Sequence, residues 1–212
     1  MWPDDGVSAS RRRREAGRGG LLRWLVSTSI EPLVYVTLVG FFYPIWEVFM
    51  FDEDEGLNLI KAALVSRRYD LYGEIWNDQP PLFTYLLAGS MRVFGYEVPV
   101  ARLLVLAMVG LMLWALYAFI RLEWGHVHAA AAVILVALLP RFVMTSVSVM
   151  IGLPAISLAL LSMLFLALWH RFRKLPWLAA SAALLALSVL VKLFTGLLAP
   201  VFLIGLIYGE WN

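Results

Sequence analysis

The sequence predicts an all-α membrane protein: a polytopic bundle of about six transmembrane helices, with two amphipathic helices at its external surface. Hydrophobic residues make up 62% of the 212 residues, and the mean hydropathy is +0.81. A soluble domain is about 45–50% apolar, so a core of this size cannot bury the excess and lipid must cover it. Long apolar segments also alternate with short polar loops along most of the chain.

Net charge and cysteine content exclude two classes of function. The net charge of +2 is too small to indicate nucleic-acid binding, which requires a strongly basic surface. The chain has no cysteine, and therefore neither disulfide bonds nor thiol chemistry.

The chain is predicted to divide into a basic tail, residues 1–28, and a transmembrane domain, residues 29–212. The tail is polar, contains glycine and carries four consecutive arginines at 11–14, which is typical of a disordered segment. Because arginine and lysine collect on the cytoplasmic side of membrane proteins, we expect the N-terminus to lie in the cytoplasm.

Six membrane spans are predicted from the apolar segments. The first four cover residues 33–51, 98–122, 127–139 and 154–169. Residues 175–208 are too long for one span, because a helix of that length would exceed the roughly 30 Å hydrocarbon core. Lys192 and Gly196 therefore predict two short helices that meet at a polar turn.

The loop after the first span is predicted to contain the two amphipathic helices. Residues 56–66 place Leu57, Ile60 and Leu64 at helical spacing, which is typical of a helix that lies along the membrane interface. Residues 81–94 form the second helix, which is too short to span the membrane and tolerates its proline in the first turn. With the N-terminus inside, both helices lie in the first extracytoplasmic loop.

Two acidic clusters in this loop, FDEDEGL and NDQPPLF, carry the candidate catalytic residues. Asp54 and Glu55 follow the first span and open a helix, whose N-terminal dipole favours anions. Asp78 precedes Pro80 and Pro81, which stiffen the backbone. A carboxylate held at the membrane surface can act as general base for an acceptor hydroxyl. A loop whose charges only keep it in solvent is the alternative for FDEDEGL taken alone.

Basic residues near the external ends of the spans supply positive charge on the same side of the membrane as the acidic clusters. Lys192, Arg102 and Arg141 are predicted there. Such cations can stabilise the charge that develops on a phosphate leaving group. An intramembrane lysine is a functional candidate by default, and a lysine that extends its amine to the interface is the alternative for Lys192.

The chain resembles the opening of the GT-C class of integral-membrane glycosyltransferases in the order of its motifs. These are DEG, an amphipathic helix, YDLYGEIWNDQPPL, FG and ARL. It is most similar to the bacterial relatives of protein O-mannosyltransferases and of the lipid A aminoarabinose transferase. In these enzymes an Asp-Glu pair ends the first span, and a loop leads to a carboxylate, a usually basic residue and Pro-Pro-Leu. SVLVKLFTG resembles their Thr-Lys-containing turn, so the resemblance covers roughly residues 33–208.

The resemblance implies transfer of a sugar from a polyprenyl-phosphate donor to a lipid, protein or polysaccharide acceptor, with inversion, outside the bacterial inner membrane. Asp54 then matches the catalytic carboxylate, Glu55 its neighbour in the motif, and Asp78 the acid before Pro-Pro. Lys192 and Arg102 match the cations expected to bind the lipid phosphate.

Gln79 and Tyr72 complete the predicted substrate-binding set. Gln79 stands where these enzymes commonly carry lysine or histidine, so one phosphate contact is expected to be weaker or replaced. Tyr72 belongs to a group of aromatic residues around the loop, which form either an interfacial belt or a stacking platform for a sugar ring. No metal is assigned, but Asp52 and Asp54 form a candidate pair for Mg²⁺ or Mn²⁺.

Two departures from the family pattern leave an alternative function open. Gly152 stands where relatives often place an acid, and members are usually much longer, which predicts that the 212 residues are an N-terminal portion. Both features favour a non-catalytic subunit that binds polyprenyl phosphate or acts as a scaffold. An ion-coupled transporter would require acids within the spans, where only Glu47 comes close.

Overall fold

The structure is a computed structural model that describes residues 26–210, with the side chains of residues 26–207. The described part of the chain is helical and contains no β-strand, apart from an isolated bridge between Leu71 and Ile75. The helices are α1 Val26–Phe42, α2 Glu53–Ser66, α3 Leu82–Phe94, α4 Val98–Trp124, α5 His126–Ala137, α6 Pro140–Thr145, α7 Gly152–Phe172, α8 Leu175–Val191, a 3₁₀ helix Leu193–Leu198, and α9 Ala199–Glu210.

The predicted class, a helical membrane bundle, is confirmed. Helices α4 and α7 are long and apolar enough to cross a membrane. Helices α1, α3, α5 and α8 and the segment Leu193–Ile207 are shorter apolar helices. Many large apolar side chains on these helices are exposed, as expected where lipid rather than protein covers the surface.

Helix α4 packs against α5 and α7, and α7 packs against α8. Buried serines bond across these contacts: the Ser157 hydroxyl donates to Met108 O at 2.7 Å, and the Ser188 hydroxyl donates to Ala155 O at 2.8 Å. The hydroxyls of Ser162 and Ser181 each donate to the other residue's carbonyl oxygen. Small residues permit close helix approach and their hydroxyls bond between helices, which stabilises packing where lipid removes the hydrophobic driving force.

The two predicted amphipathic helices are confirmed as α2 and α3. The Asp52 side chain caps α2 by accepting from the Asp54 N–H at 3.1 Å. At the other end of α2, the Arg92 guanidinium from α3 donates to the carbonyl oxygens of Val65 and Ser66. Helix α3 also packs against α4, so the α2–α3 pair is attached to the bundle.

The predicted first span, residues 33–51, was placed too far along the chain, since α1 covers Val26–Phe42. Pro44 disfavours helical geometry at the residue before it, so α1 ends there although the apolar sequence continues. Glu47 consequently lies in the irregular α1–α2 connection and not inside a span. Residues 26–28 of the predicted tail belong to α1, and residues 1–25 lie outside the described residues.

The remaining spans agree with prediction in existence and differ at their ends. Helices α4, α5 and α7 correspond to the second, third and fourth spans, and the long final segment divides at Lys192, as predicted. The backbone of Lys192 is extended, with φ −151° and ψ 124°, which ends α8. Helix α6 was not predicted; it begins at Pro140, where proline suits a first helical turn.

Candidate active site

A cleft of about 270 Å³ lies among the start of α2, the loop before α3, the loop before α7 and the junction after α8. Four of the seven predicted site residues line it: Asp54, Asp78, Gln79 and Lys192. Asn58, Lys61, Thr145 and Gly152 are also in its wall. The fold therefore gathers polar groups from chain segments that are far apart in sequence.

Asp54 presents an exposed carboxylate to the cleft from the first turn of α2. Its backbone N–H is used by the Asp52 cap, which fixes the start of the helix. The predicted pairing of Asp52 with Asp54 around Mg²⁺ or Mn²⁺ stays a prediction. The Asp52 side chain is engaged in the cap, and of these two residues only Asp54 lines the cleft. Within residues 26–207 no group of three or more His, Asp or Glu side chains forms a metal site.

Asp78 is held as an anion by two neighbours. The Gln79 side-chain amide donates to its Oδ2 at 2.9 Å, and the Lys61 ammonium lies 3.2 Å from its Oδ1. The hydrogen bond from Gln79, with a smaller contribution from Lys61, lowers the pKa of Asp78 below its ordinary value. A carboxylate with a lowered pKa is a weaker base, so this environment favours a binding or orienting role for Asp78.

Lys61 is a cleft residue that the sequence analysis did not identify. Its side chain is only 4% exposed, and its ammonium donates to Asn77 Oδ1 at 3.1 Å and to Asp78 Oδ1. Asp54, Asn58 and Lys61 are spaced by four and three residues, so they lie on one face of α2. This polar stripe was visible in the sequence and could have identified Lys61.

Glu55 and Arg102, both predicted site residues, lie outside the cleft wall in a buried pair. Arg102 Nε and Nη2 donate to the Glu55 carboxylate at 2.9 and 2.8 Å, and both side chains are 1% exposed. The other guanidinium hydrogens go to the carbonyl oxygens of Ile45, Val48 and Phe49. All five N–H groups of Arg102 thus have acceptors within the protein.

The Glu55–Arg102 pair joins four parts of the chain that surround the cleft. Besides α2 and α4, it holds the α1–α2 connection through the Arg102 bonds described above. The Glu55 carboxylate also accepts from the Val149 N–H at 3.2 Å, and Asn58 donates to Val149 O at 2.9 Å. These bonds attach α2 to the loop before α7, which forms the opposite wall of the cleft.

Tyr72 supports the acidic loop from outside the cleft. Its hydroxyl donates to Gln79 O at 2.7 Å, although the side chain is 54% exposed. Its backbone adopts φ 77°, a conformation that non-glycine residues rarely adopt. The structure therefore brings Tyr72 to the backbone of the site and not to the lining of the cleft.

Gly152 leaves open space in the cleft at the start of α7. A Cβ atom added there would meet nothing within 4 Å, and no side chain caps this helix end. The first-turn N–H groups of α7 thus have no side-chain acceptor in the described structure.

We expect Gly152→Ala to raise the free energy of unfolding by about 0.5 kcal/mol, because alanine has fewer unfolded conformations and the helical backbone accepts it. Gly125→Ala is the matched control: space is also open there, but φ is +84°, so the change should destabilise. Thermal unfolding in detergent measures both, and equal shifts for the two variants would contradict this account.

Comparison with known families adds one finding. Residues 78–212 match the family model described as dolichyl-phosphate-mannose-protein mannosyltransferase. The matched segment contains Asp78, Gln79, Arg102, Gly152 and Lys192, whereas Asp54 and Lys61 precede it. No curated protein and no solved structure gives a significant match.

Proposed function

The chain belongs to the dolichyl-phosphate-mannose-protein mannosyltransferase family, and from this premise we propose that it transfers a sugar from a polyprenyl-phosphate donor to an extracytoplasmic acceptor. Membership makes the chain a membrane glycosyltransferase of the GT-C type. One observation supports the finer proposal: a single cleft holds Asp54, Asp78, Gln79 and Lys192. We place the protein in a bacterial inner membrane, with its N-terminus in the cytoplasm and the cleft outside.

Asp54 is the proposed general base. Within residues 26–207 the two salt bridges engage Asp78 and Glu55, so Asp54 has no cationic partner there and keeps its oxygens available. It is also exposed in the cleft, where an acceptor hydroxyl can reach it. A base must lie within hydrogen-bonding reach of the proton that it removes, and an unpaired, accessible carboxylate meets that requirement.

Lys192 is the proposed ligand of the donor phosphate. It lines the cleft, and within the described residues no carboxylate lies within salt-bridge distance of it. The uncapped start of α7 forms the neighbouring wall, and helix N-termini favour anions. Together they offer a lipid phosphate a lysine charge and backbone N–H groups.

The proposed reaction is a single displacement. Asp54 takes the proton of the acceptor hydroxyl while the oxygen of that hydroxyl attacks the anomeric carbon of the donor sugar. The bond from that carbon to the phosphate oxygen breaks, and Lys192 stabilises the charge of the departing polyprenyl phosphate. Attack opposite the leaving group inverts the configuration, and the proton later passes from Asp54 to water.

The other predicted site residues are proposed to support this reaction. Asp78 and Gln79 orient the bound substrate from the cleft wall. Glu55 and Arg102 act through their buried pair, which positions α2 and the loop before α7, and not by touching substrate. Tyr72 holds the loop that carries Asp78 and Gln79.

We expect Lys192→Met to raise the dissociation constant of a polyprenyl-phosphate sugar about tenfold or more, because a hydrogen bond to a charged group contributes about 1.5–3 kcal/mol. Lys174→Met is the control, since Lys174 is an exposed lysine at the opposite end of α8. Binding of radiolabelled donor to the protein in proteoliposomes measures the effect. Equal affinity in both variants would remove Lys192 from the phosphate site.

A second candidate function is a non-catalytic subunit that binds polyprenyl phosphate. Gly152 favours it, because the cleft has open space and no acid where relatives often carry one. In the test, wild-type protein in proteoliposomes is supplied with radiolabelled polyprenyl-phosphate sugars and a membrane acceptor fraction. Transfer supports the enzyme, whereas saturable donor binding without transfer supports the subunit.

A further inference from the structure

We propose that Lys61 is a positioning residue, which holds the Asp78 carboxylate and the loop around it in the geometry that binds substrate. The inference deepens the proposed function and rests on it. Lys61 lies upstream of the segment that matches the family, so its role comes from this structure alone.

One ammonium group contacts three consecutive residues of the loop. Lys61 Nζ lies 3.1 Å from Asn77 Oδ1, 3.2 Å from Asp78 Oδ1 and 5.0 Å from the centroid of the Trp76 ring. Cations are attracted to aromatic faces at such distances. Loop and helix are therefore joined at this amine.

Because Lys61 is buried, its ammonium group requires these partners. The Lys61 side chain is 4% exposed, and a buried ammonium is costly unless it is paired and hydrogen-bonded. Residues 76–81 have no regular secondary structure, so side-chain contacts contribute to defining their conformation. Asn77 extends the contact to the backbone of the loop, because its side-chain amide donates to Gln79 O at 2.7 Å.

The charged groups around Asp78 determine how its pKa should change when Lys61 is replaced. Lys61 faces Asp78 from α2, Lys192 lines the same cleft after α8, and Asp54 is the other acid there. Because the pKa of Asp78 is lowered, the group stays ionised to a lower pH than a free aspartate. Removing the ammonium should raise this pKa and move the acidic limb of the pH–rate profile to higher pH.

The activity test compares Lys61→Met with Asp78→Asn and the double variant in proteoliposomes. We expect Lys61→Met to lower kcat/KM about tenfold, mostly through KM, as a lost charged hydrogen bond predicts. If Lys61 acts through Asp78, the double variant should be no worse than Asp78→Asn alone. Lys61→Arg, which keeps the charge, should recover most of the activity. Additive losses with an unchanged pH profile would overturn the proposal.

A second measurement does not depend on sugar transfer. The ¹³C-carboxyl NMR titration of Asp78, assigned through Asp78→Asn, should show a higher pKa in Lys61→Met than in wild type. Lys61→Gln, which keeps a donor for Asn77 without the charge, serves if Lys61→Met does not fold, and should show the same shift. An unchanged titration in a folded variant contradicts the proposal. If the pKa shift is present but the wild-type protein transfers no sugar, the result rejects only the proposed function.

Discussion

Asp54→Asn is expected to abolish sugar transfer while donor binding persists. Asparagine keeps the shape of the side chain and removes the charge, so it cannot accept the proton of the acceptor hydroxyl. General base catalysis contributes about 10²–10⁴-fold to rate, and the variant should lose activity in that range. The donor phosphate should still bind, because its proposed ligands are Lys192 and the start of α7.

Glu53→Gln is the matched control for Asp54→Asn. It also removes one negative charge from the first turn of α2, but Glu53 is exposed and does not line the cleft. Transfer and donor binding are measured separately in proteoliposomes. Equal loss of transfer in both variants would indicate a general effect of charge near the helix. Full activity of Asp54→Asn would reject Asp54 as the base.

Arg102→Met is expected to destabilise the fold strongly. Breaking a buried ion pair by removing one partner costs about 3–5 kcal/mol, because the remaining charge is uncompensated. Native proteins are stable by only about 5–15 kcal/mol. Here the loss also leaves the carbonyl oxygens of Ile45, Val48 and Phe49 without their donor. Thermal unfolding followed by circular dichroism in detergent measures the effect.

Arg67→Met, which removes an exposed arginine just after α2, is the control and should unfold at the wild-type temperature. The double variant Arg102→Met/Glu55→Leu should be less destabilised than the sum of the single variants, since neither charge is left alone. An Arg102→Met protein that unfolds at the wild-type temperature and has only lost donor binding would contradict the supporting role. It would restore Arg102 as a phosphate ligand.

Local patterns in the sequence predicted much of the fold. Helices α2 and α3 followed from the spacing of apolar residues, and the break at Lys192 followed from a segment too long for one span. The end of α1 was missed because an apolar window continues through Pro44, whereas a proline disfavours helical geometry at the residue before it.

The candidate site was predicted in composition and only partly in arrangement. Asp54, Asp78, Gln79 and Lys192 were singled out as candidates and share one cleft. Sequence spacing alone cannot show that Glu55 meets Arg102 across 47 residues. Nor could it show that a buried Lys61 joins α2 to the loop at Asp78.

The sequence by itself determined the membrane class, most of the helices and the motifs that indicate a glycosyltransferase, because apolar runs, helical periodicity and breaker residues act over short stretches of chain. Only the tertiary structure decided which charged side chains are buried and paired and which face the cleft. That division depends on contacts between distant segments: Glu55 and Arg102 neutralise each other within the protein, while Asp54 and Lys192 line the cleft. Burial demands a partner for each charge, and the fold supplies those partners from elsewhere in the chain.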